Sequence, residues 1–320
     1  MFEQTNPSIS RPPTRGELLW DQLFRGLTRA FAWLTIVVVV YLVFQIARAA
    51  HPAVQKYGWS FITTSKWDSG KEQYGIAPQI WGTLYSSILG VGIGAVFGLA
   101  VAIFLTEDFL PPRSAAFCKN VVELLAAIPS VVYGLWGIFV VIPTIRPACN
   151  WLHAHLGWIP IFGTRLSGPG LLPAALVLAI MVLPTVTAIS RDSLASVPPK
   201  LREAAFGLGA TRWEAILAVI LPTASRGIYG SIILAFGRAL GETMALAMLV
   251  GDSNAITWSM FSPSDTLAAL VAKRFAEASR VEVGALMYAA LVLMAITLVV
   301  NIIGTLIIMR TSLPHRDTAK

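Results

Sequence analysis

The ten residues Thr35-Ile-Val-Val-Val-Val-Tyr-Leu-Val-Phe44 contain no charge and no alternation of apolar with polar positions. They belong to one of six stretches of this kind, near 29–47, 82–105, 121–145, 171–190, 223–250 and 284–309. A helix needs roughly 20 such residues, at about 1.5 Å each, to cross about 30 Å of hydrocarbon. A membrane barrel instead needs segments of about ten residues that alternate in character, and these runs do not. Composition agrees, since 56% of the 320 residues are apolar and only 13% are charged, too few to coat a soluble fold. A soluble enzyme, an extended nucleic-acid binder and a disordered scaffold are disfavoured on the same ground. The predicted class is all-α: a polytopic membrane protein with about six transmembrane helices.

An even number of spans places both termini on one side, so the loops can be compared for Lys and Arg. The side holding the tails, residues 106–120 and the loop 191–222 with its flank to Arg226 carries 14 of them, counting Arg29 at the edge of the first span; the other side carries 9; Arg238 lies inside a span. The excess favours cytoplasmic termini in an inner membrane, and the net charge of +7 reads as a topology signal before it reads as a nucleic-acid signal. The expected organisation is a cytoplasmic tail 1–28, a membrane domain 29–309 and a cytoplasmic tail 310–320. Ala47-Arg48-Ala49 has the small residues of a cleavage site. The long polar region before it and an apolar run exceeding a secretory signal's about 7–15 residues argue for a retained span. The Pro- and Ser-containing stretch 1–16 is expected to be disordered.

Local features add packing and exclude some chemistry. Cys118 and Cys149 flank the third span, and a continuous helix of 31 residues would separate them by roughly 46 Å, far beyond disulfide reach. His153 and His155 form an H-x-H pair with no Cys or carboxylate at ligand spacing, so a solvated pair is favoured over a zinc site, and no metal or cofactor is expected. Gly90, Gly94 and Gly98 fall on one helical face, where small residues let another helix approach closely, as static packing or as a moving contact. Pro129, Pro173 and Pro184 lie in or at the ends of spans, and the hydrogen bonds they remove survive in lipid only inside protein or beside a water-filled path.

The loop 191–222 carries the first sharp pattern. Ser196 is placed to cap a helix starting at Pro198 or Pro199, with Leu201, Ala204, Ala205 and Leu208 as its apolar face and Lys200, Arg202 and Glu203 outside it. Gly207 and Gly209 end that helix, and Thr211 can cap the next. Such a helix either docks in a groove of a cytoplasmic partner or rests on lipid. Glu203-Ala204-Ala205, Gly209 and Val219-Ile-Leu221-Pro222 resemble the EAA loop of bacterial ABC-importer permeases, with Val in place of the usual Ile. The resemblance implies the type I importer architecture and a loop that docks on a separate ATPase subunit through Glu203, Ala204, Ala205 and Gly209. The chain lacks a G-x-x-x-x-G-K-[ST] phosphate loop, Gly70-Lys71 having neither the upstream Gly nor the Ser or Thr. On this reading it is a transport subunit without catalytic residues.

Arg238 and Glu242 lie in Ala235-Phe-Gly-Arg-Ala-Leu-Gly-Glu-Thr-Met244, near the middle of the fifth expected span. A charge at the bilayer centre costs at least about 2.5 kcal/mol, so both should face protein or water. At i, i+4 they can pair, and two readings stand open: a structural ion pair, or a pathway in which Arg238 attracts an anion for which Glu242 competes. A guanidinium suits a tetrahedral oxyanion because its forked donors make parallel bonds. Gly237–Met244, Ile128-Pro-Ser-Val-Val-Tyr-Gly-Leu-Trp-Gly137 and Tyr74-Gly-Ile-Ala-Pro-Gln-Ile-Trp-Gly-Thr83 are similar to permeases of the phosphate-specific transport system, the last favouring the C-type over the A-type subunit. That resemblance covers residues 59–309. It implies a heterodimer with an A-type permease, two ATPase subunits, an extracytoplasmic phosphate-binding protein and alternating access, with Trp59, Trp67, Tyr74 and Trp81 serving the outer face or an aromatic belt. Residue chemistry alone leaves other oxyanions, organic solutes, a proton-coupled carrier and a membrane sensor open.

Overall fold

The computed structural model describes residues 14–107 and 109–311, and most of the stretch 1–16, His315 and the end of the C-terminal tail lie outside them. The chain divides into two units, one ending at Arg48 and one starting at Ala49. In the first, helix α1 (Arg15–Tyr57, continuing into the second unit) begins at a reciprocal cap in which Thr14 N–H donates to Glu17 Oε2 at 2.7 Å. It therefore starts well before residue 29, and the expected tail 1–28 is partly helical. Thr28 and Thr35 donate their hydroxyls to the carbonyls of Phe24 and Phe31, which satisfies polar atoms inside an apolar run.

In the second unit, α2 (Ser60–Thr63) leads to a small hairpin of β1 (Trp67–Asp68) and β2 (Gln73–Tyr74), paired Trp67 to Tyr74. The helices α3 (Ala77–Thr106) and α4 (Pro112–Ala127) follow. Next come α5 (Ser130–Trp136), a π turn (Gly137–Val141) and α6 (Ile142–Leu156), which run on as one membrane-length helix. The span expected at 121–145 is displaced. Pro129 takes an extended ψ of 143° and separates α4 from the helix that crosses, so Cys149 lies inside α6 and no continuous helix joins it to Cys118. Both thiols are free.

Helix α7 (Leu171–Ala195) is the most enclosed of the long helices. After it come α8 (Pro199–Gly207), α9 (Arg212–Ala215), a second π turn (Ile216–Ile220) and α10 (Leu221–Leu240). Short helices α11 (Met244–Leu249) and α12 (Leu267–Arg274) precede α13 (Arg280–Thr311). Among the described residues six helices are long and apolar enough to cross a membrane. Both π turns stop just before a proline, Pro143 and Pro222. Proline has no N–H to give and clashes with the carbonyl four residues back, and a widened turn relieves both.

The glycine face predicted on α3 packs on α7. Cβ atoms added at Gly90, Gly94 and Gly98 would lie 2.9, 2.5 and 2.9 Å from Leu178, Val182 and Val186, themselves spaced by four. Thr187 Oγ1 adds a bond to Gly98 O at 3.1 Å across the same seam. At one end of the bundle, Phe61, Tyr74, Ile76, Leu267 and Leu286 form a buried cluster. At the other, Ile103, Leu194, Ile216 and Ile220 join α3, α7 and the second π turn.

Candidate functional site

Helix α10 stops two residues past Arg238. Gly241 N–H bonds back to Arg238 O at 3.2 Å, Glu242 N–H to Ala239 O at 3.3 Å, and Thr243 then opens α11. Glycine's low helix propensity permits the stop, and the i, i+4 geometry expected of Arg238 and Glu242 is lost with it. They form no ion pair. Glu242 Oε1 instead accepts from Ala245 N–H at 3.5 Å, at the start of α11, while Arg238 Nη1 donates to Thr185 Oγ1 of α7 at 3.3 Å. The fifth membrane-length helix is Arg212–Leu240, so Arg238 sits near its end and not at the middle of a span 223–250.

Arg238 is exposed and Glu242 half-buried. Gly237, beside Arg238, backs on the Asn301 side chain of α13, with 3.4 Å from an added Cβ to Asn301 Oδ1. A guanidinium has five N–H donors. Here one of them meets a neutral hydroxyl, and no described carboxylate lies within ion-pair distance, so the charge and its remaining donors are available to an anion. The sequence pattern singled out Arg238 and Glu242 but not Thr185, whose only local signal is its place directly after Pro184 inside α7.

The second predicted cluster lies at the opposite end of α10. Helix α8 begins at Pro199 without Ser196, whose hydroxyl donates to Ser193 O at 2.7 Å, so the expected cap is not made. It ends as predicted. Gly209 has φ +85°, its N–H bonds to Phe206 O at 2.9 Å, and Ala210 N–H bonds to Ala205 O at 3.1 Å, the paired pattern that a left-handed residue closes. Thr211 then caps α9 in a full capping box with Glu214. The expected apolar face is rearranged. Ala205 is buried, but Leu201 and Ala204 are exposed and Leu208 is 90% exposed, while Arg202 turns inward to Glu107 at 2.7 Å. Glu203 and Gly209 are exposed beside Phe206 and Leu208. The surface offered outward therefore mixes the apolar Leu201, Phe206 and Leu208 with the charges of Lys200 and Glu203.

Of the aromatic residues assigned to the outer face, Trp59 is 82% exposed. Trp67 donates to Glu282 Oε1, Tyr74 is buried against it, and Trp81 donates to Thr257 O, so these three hold loops together. His153 Nδ1 pairs with Phe162 O and His155 Nδ1 with Trp151 O, which assigns both rings to local structure. Near the same end Asp265 is fully buried and accepts from Lys273 Nζ at 2.8 Å. Burial pushes its carboxyl above the ordinary value despite the lysine.

Residues 98–312 match the family described as binding-protein-dependent transport system inner membrane component. The chain is 38% identical over 296 residues to the phosphate transport system permease protein PstC of Haemophilus influenzae, covering 90% of this chain and 93% of that one. It is 39% identical to PstC of Pasteurella multocida, over 91% of this chain and 92% of the relative. The chain belongs to the PstC family of ABC-importer permeases. A more distant family member, the probable PstC of Methanocaldococcus jannaschii, shares 37% identity over 80% of this chain and 83% of its own. The fold is shared with a bacterial alginate ABC transporter solved with a pentasaccharide-bound periplasmic protein, at TM-score 0.61 and 18% identity over 89% of this chain and 95% of the other. It is shared also with the inward-facing MetNI methionine transporter, at TM-score 0.55 and 17% identity over 74% and 96%.

Proposed function

We propose that this chain is the C-type permease of an ATP-driven inorganic-phosphate importer, with Arg238 on the translocation path. The observation that carries the reading is Arg238 itself: a permanently charged, exposed guanidinium at a helix break, held by one neutral hydroxyl on a facing span. Phosphate offers several charged oxygens to such a fork. Glu242 is the competing anion. In the present arrangement it is occupied by the N–H of Ala245, and reformation of the helical turn at Gly241 would return it towards Arg238 as the path closes.

The protein works with a PstA-like A-type permease, two ATPase subunits and an extracytoplasmic phosphate-binding protein, with both termini cytoplasmic. Residues Glu203, Ala204, Ala205 and Gly209 dock on the ATPase, a role supported by the outward placement of Glu203, Ala204 and Gly209, with Ala205 buried as the helix's anchor, and by the αL cap that shapes its end. ATP closure opens the path outward and hydrolysis resets it inward. Reconstitution of the whole assembly in proteoliposomes tests the substrate: ATP inside and binding protein outside drive entry of labelled phosphate, and excess sulfate leaves the rate unchanged. Equal competition by sulfate would refute phosphate selectivity.

A further inference from the structure

Helix α8 is joined to α7 by the chain and packs on the second π turn, and Arg202 adds a side-chain tie from α8 to two spans at once. Its Nη1 donates to Glu107 Oε1 at 2.7 Å and its Nη2 to Leu194 O at 2.8 Å. Glu107 ends α3 and Leu194 lies in the last turn of α7, so one guanidinium ties the short helix to two long ones. The Glu107 side chain is only 6% exposed and Leu194 is buried, which puts both contacts under the loop, away from its outer surface. Nor is the contact single. Trp213 of α9 lies 5.2 Å from the Phe109 ring, the Arg212 guanidinium stands 5.3 Å over it, and Phe109 packs on Phe104 of α3. The loop thus grips the end of α3 at two points, from α8 and from α9.

What happens beyond that grip follows from the glycine seam. Gly90, Gly94 and Gly98 leave no slack against Leu178, Val182 and Val186, so α3 and α7 respond as one body. Helix α7 carries Thr185, the partner of Arg238. We infer that Arg202 is a positioning residue of the transport cycle: through Glu107 and the Leu194 carbonyl it fastens the coupling loop to the α3–α7 pair, so that displacement of α8 becomes displacement of Thr185 against Arg238. The inference rests on the proposed docking of residues 203–209 to the ATPase. A planar fork fixes two acceptors in one direction, which the point charge of lysine does not. A buried ion pair is not by itself a stabilising device, so a purely structural role predicts a different outcome.

The test uses the complete assembly in proteoliposomes and reads phosphate entered per ATP hydrolysed, together with copurification of the ATPase. Arg202→Ala is expected to lower that ratio by about tenfold, within the usual range of coupling between sites, with the ATPase still bound and hydrolysing. The exchange Arg202→Glu with Glu107→Arg should recover part of the ratio. Arg202→Lys, which keeps the charge and loses the fork, should fall between. An unchanged ratio in Arg202→Ala overturns the inference, and so does an equal fall of transport and hydrolysis. If Arg202→Ala does not assemble, Glu107→Gln carries the test: a lowered ratio supports the link and a normal one refutes it. Gly209→Asp separates the two readings. Intact copurification and transport there refute docking at α8, whereas lost copurification beside a normal Arg202→Ala ratio refutes only the link.

Discussion

Gly90, Gly94 and Gly98 of α3 share a four-residue spacing with Gly237 of α10 and Gly241 just past its end, and the two sets do opposite things. The first set is filled from outside by branched side chains of α7, and the helix continues through it. At Gly241 an added Cβ would meet only its own helix's carbonyl oxygens, at 3.8 and 3.9 Å, and the helix stops. One set removes slack between two spans; the other loosens a single span beside its charge. Freed backbone groups at membrane depth survive only inside protein or beside water, a condition that the proposed path would meet at the second region. Spacing alone does not distinguish the two uses. What does is the neighbour: Leu178, Val182 and Val186 in one case, the amide of Asn301 and otherwise only the helix's own carbonyls in the other.

The largest effect should come from breaking the seam. In Gly94→Val the new Cβ would approach Val182 Cγ2 to 2.5 Å and the Ala179 carbonyl to 2.9 Å, and backbone cannot yield cheaply. Overpacking of this kind costs about 1–3 kcal/mol, seen as a lowered unfolding temperature of the solubilised complex. Gly209 shows a third use of glycine, with φ +85° and open space around it. Gly209→Ala should therefore cost about 1 kcal/mol from backbone conformation alone, and a weaker cap should appear as faster hydrogen exchange across α8. Gly241→Ala sharpens the contrast by reversing the sign. Its Cβ has room, alanine favours helix over glycine by about 0.5–1 kcal/mol, and continuing α10 brings Glu242 back towards Arg238. The variant should melt no lower than the parent and transport more slowly; a lower melting point with normal uptake would contradict this account of the break.

The smallest effect lies where the α3 stripe reaches Gly82, against the backbone of Asp265. The Asp265 carboxyl is raised above 3.8 by burial, partly opposed by Lys273. A raised value means that the folded protein holds the proton more tightly. Its stability contribution is then complete below 3.8 and is lost as pH rises through the folded value. Asp265→Asn should flatten the pH dependence of melting as pH rises from 3.8 through the folded value, read from melting curves across that range.

The six spans and their order were legible because hydropathy over twenty residues outweighs any local detail. Their edges were not. Pro129 and Gly241 end helices within stretches that hydropathy reads as continuous, and apolar residues on either side of a break look alike. The same limit hid the state of the candidate site. Arg238 and Glu242 were identifiable as charges that lipid rejects, but their separation depends on a single glycine, and Thr185 lies 53 residues away in sequence. Arg202 was assigned to the outer face of α8 because helical periodicity treats a charge as solvated. Its partner, 95 residues earlier at the end of α3, becomes visible only once α3 and α8 are brought together. The cap at Thr211 and the left-handed Gly209, both local, came through intact.

The central claim is that Arg238 handles the anion and does not merely brace the helix. Initial rates of ATP-driven phosphate entry, with ATP hydrolysis followed in the same vesicles, test it most directly in Arg238→Ala. Loss of hydrogen bonds to a charged group predicts a fall in uptake on the order of a hundredfold, with the assembly intact and hydrolysis continuing. Uptake at the parent rate would contradict it.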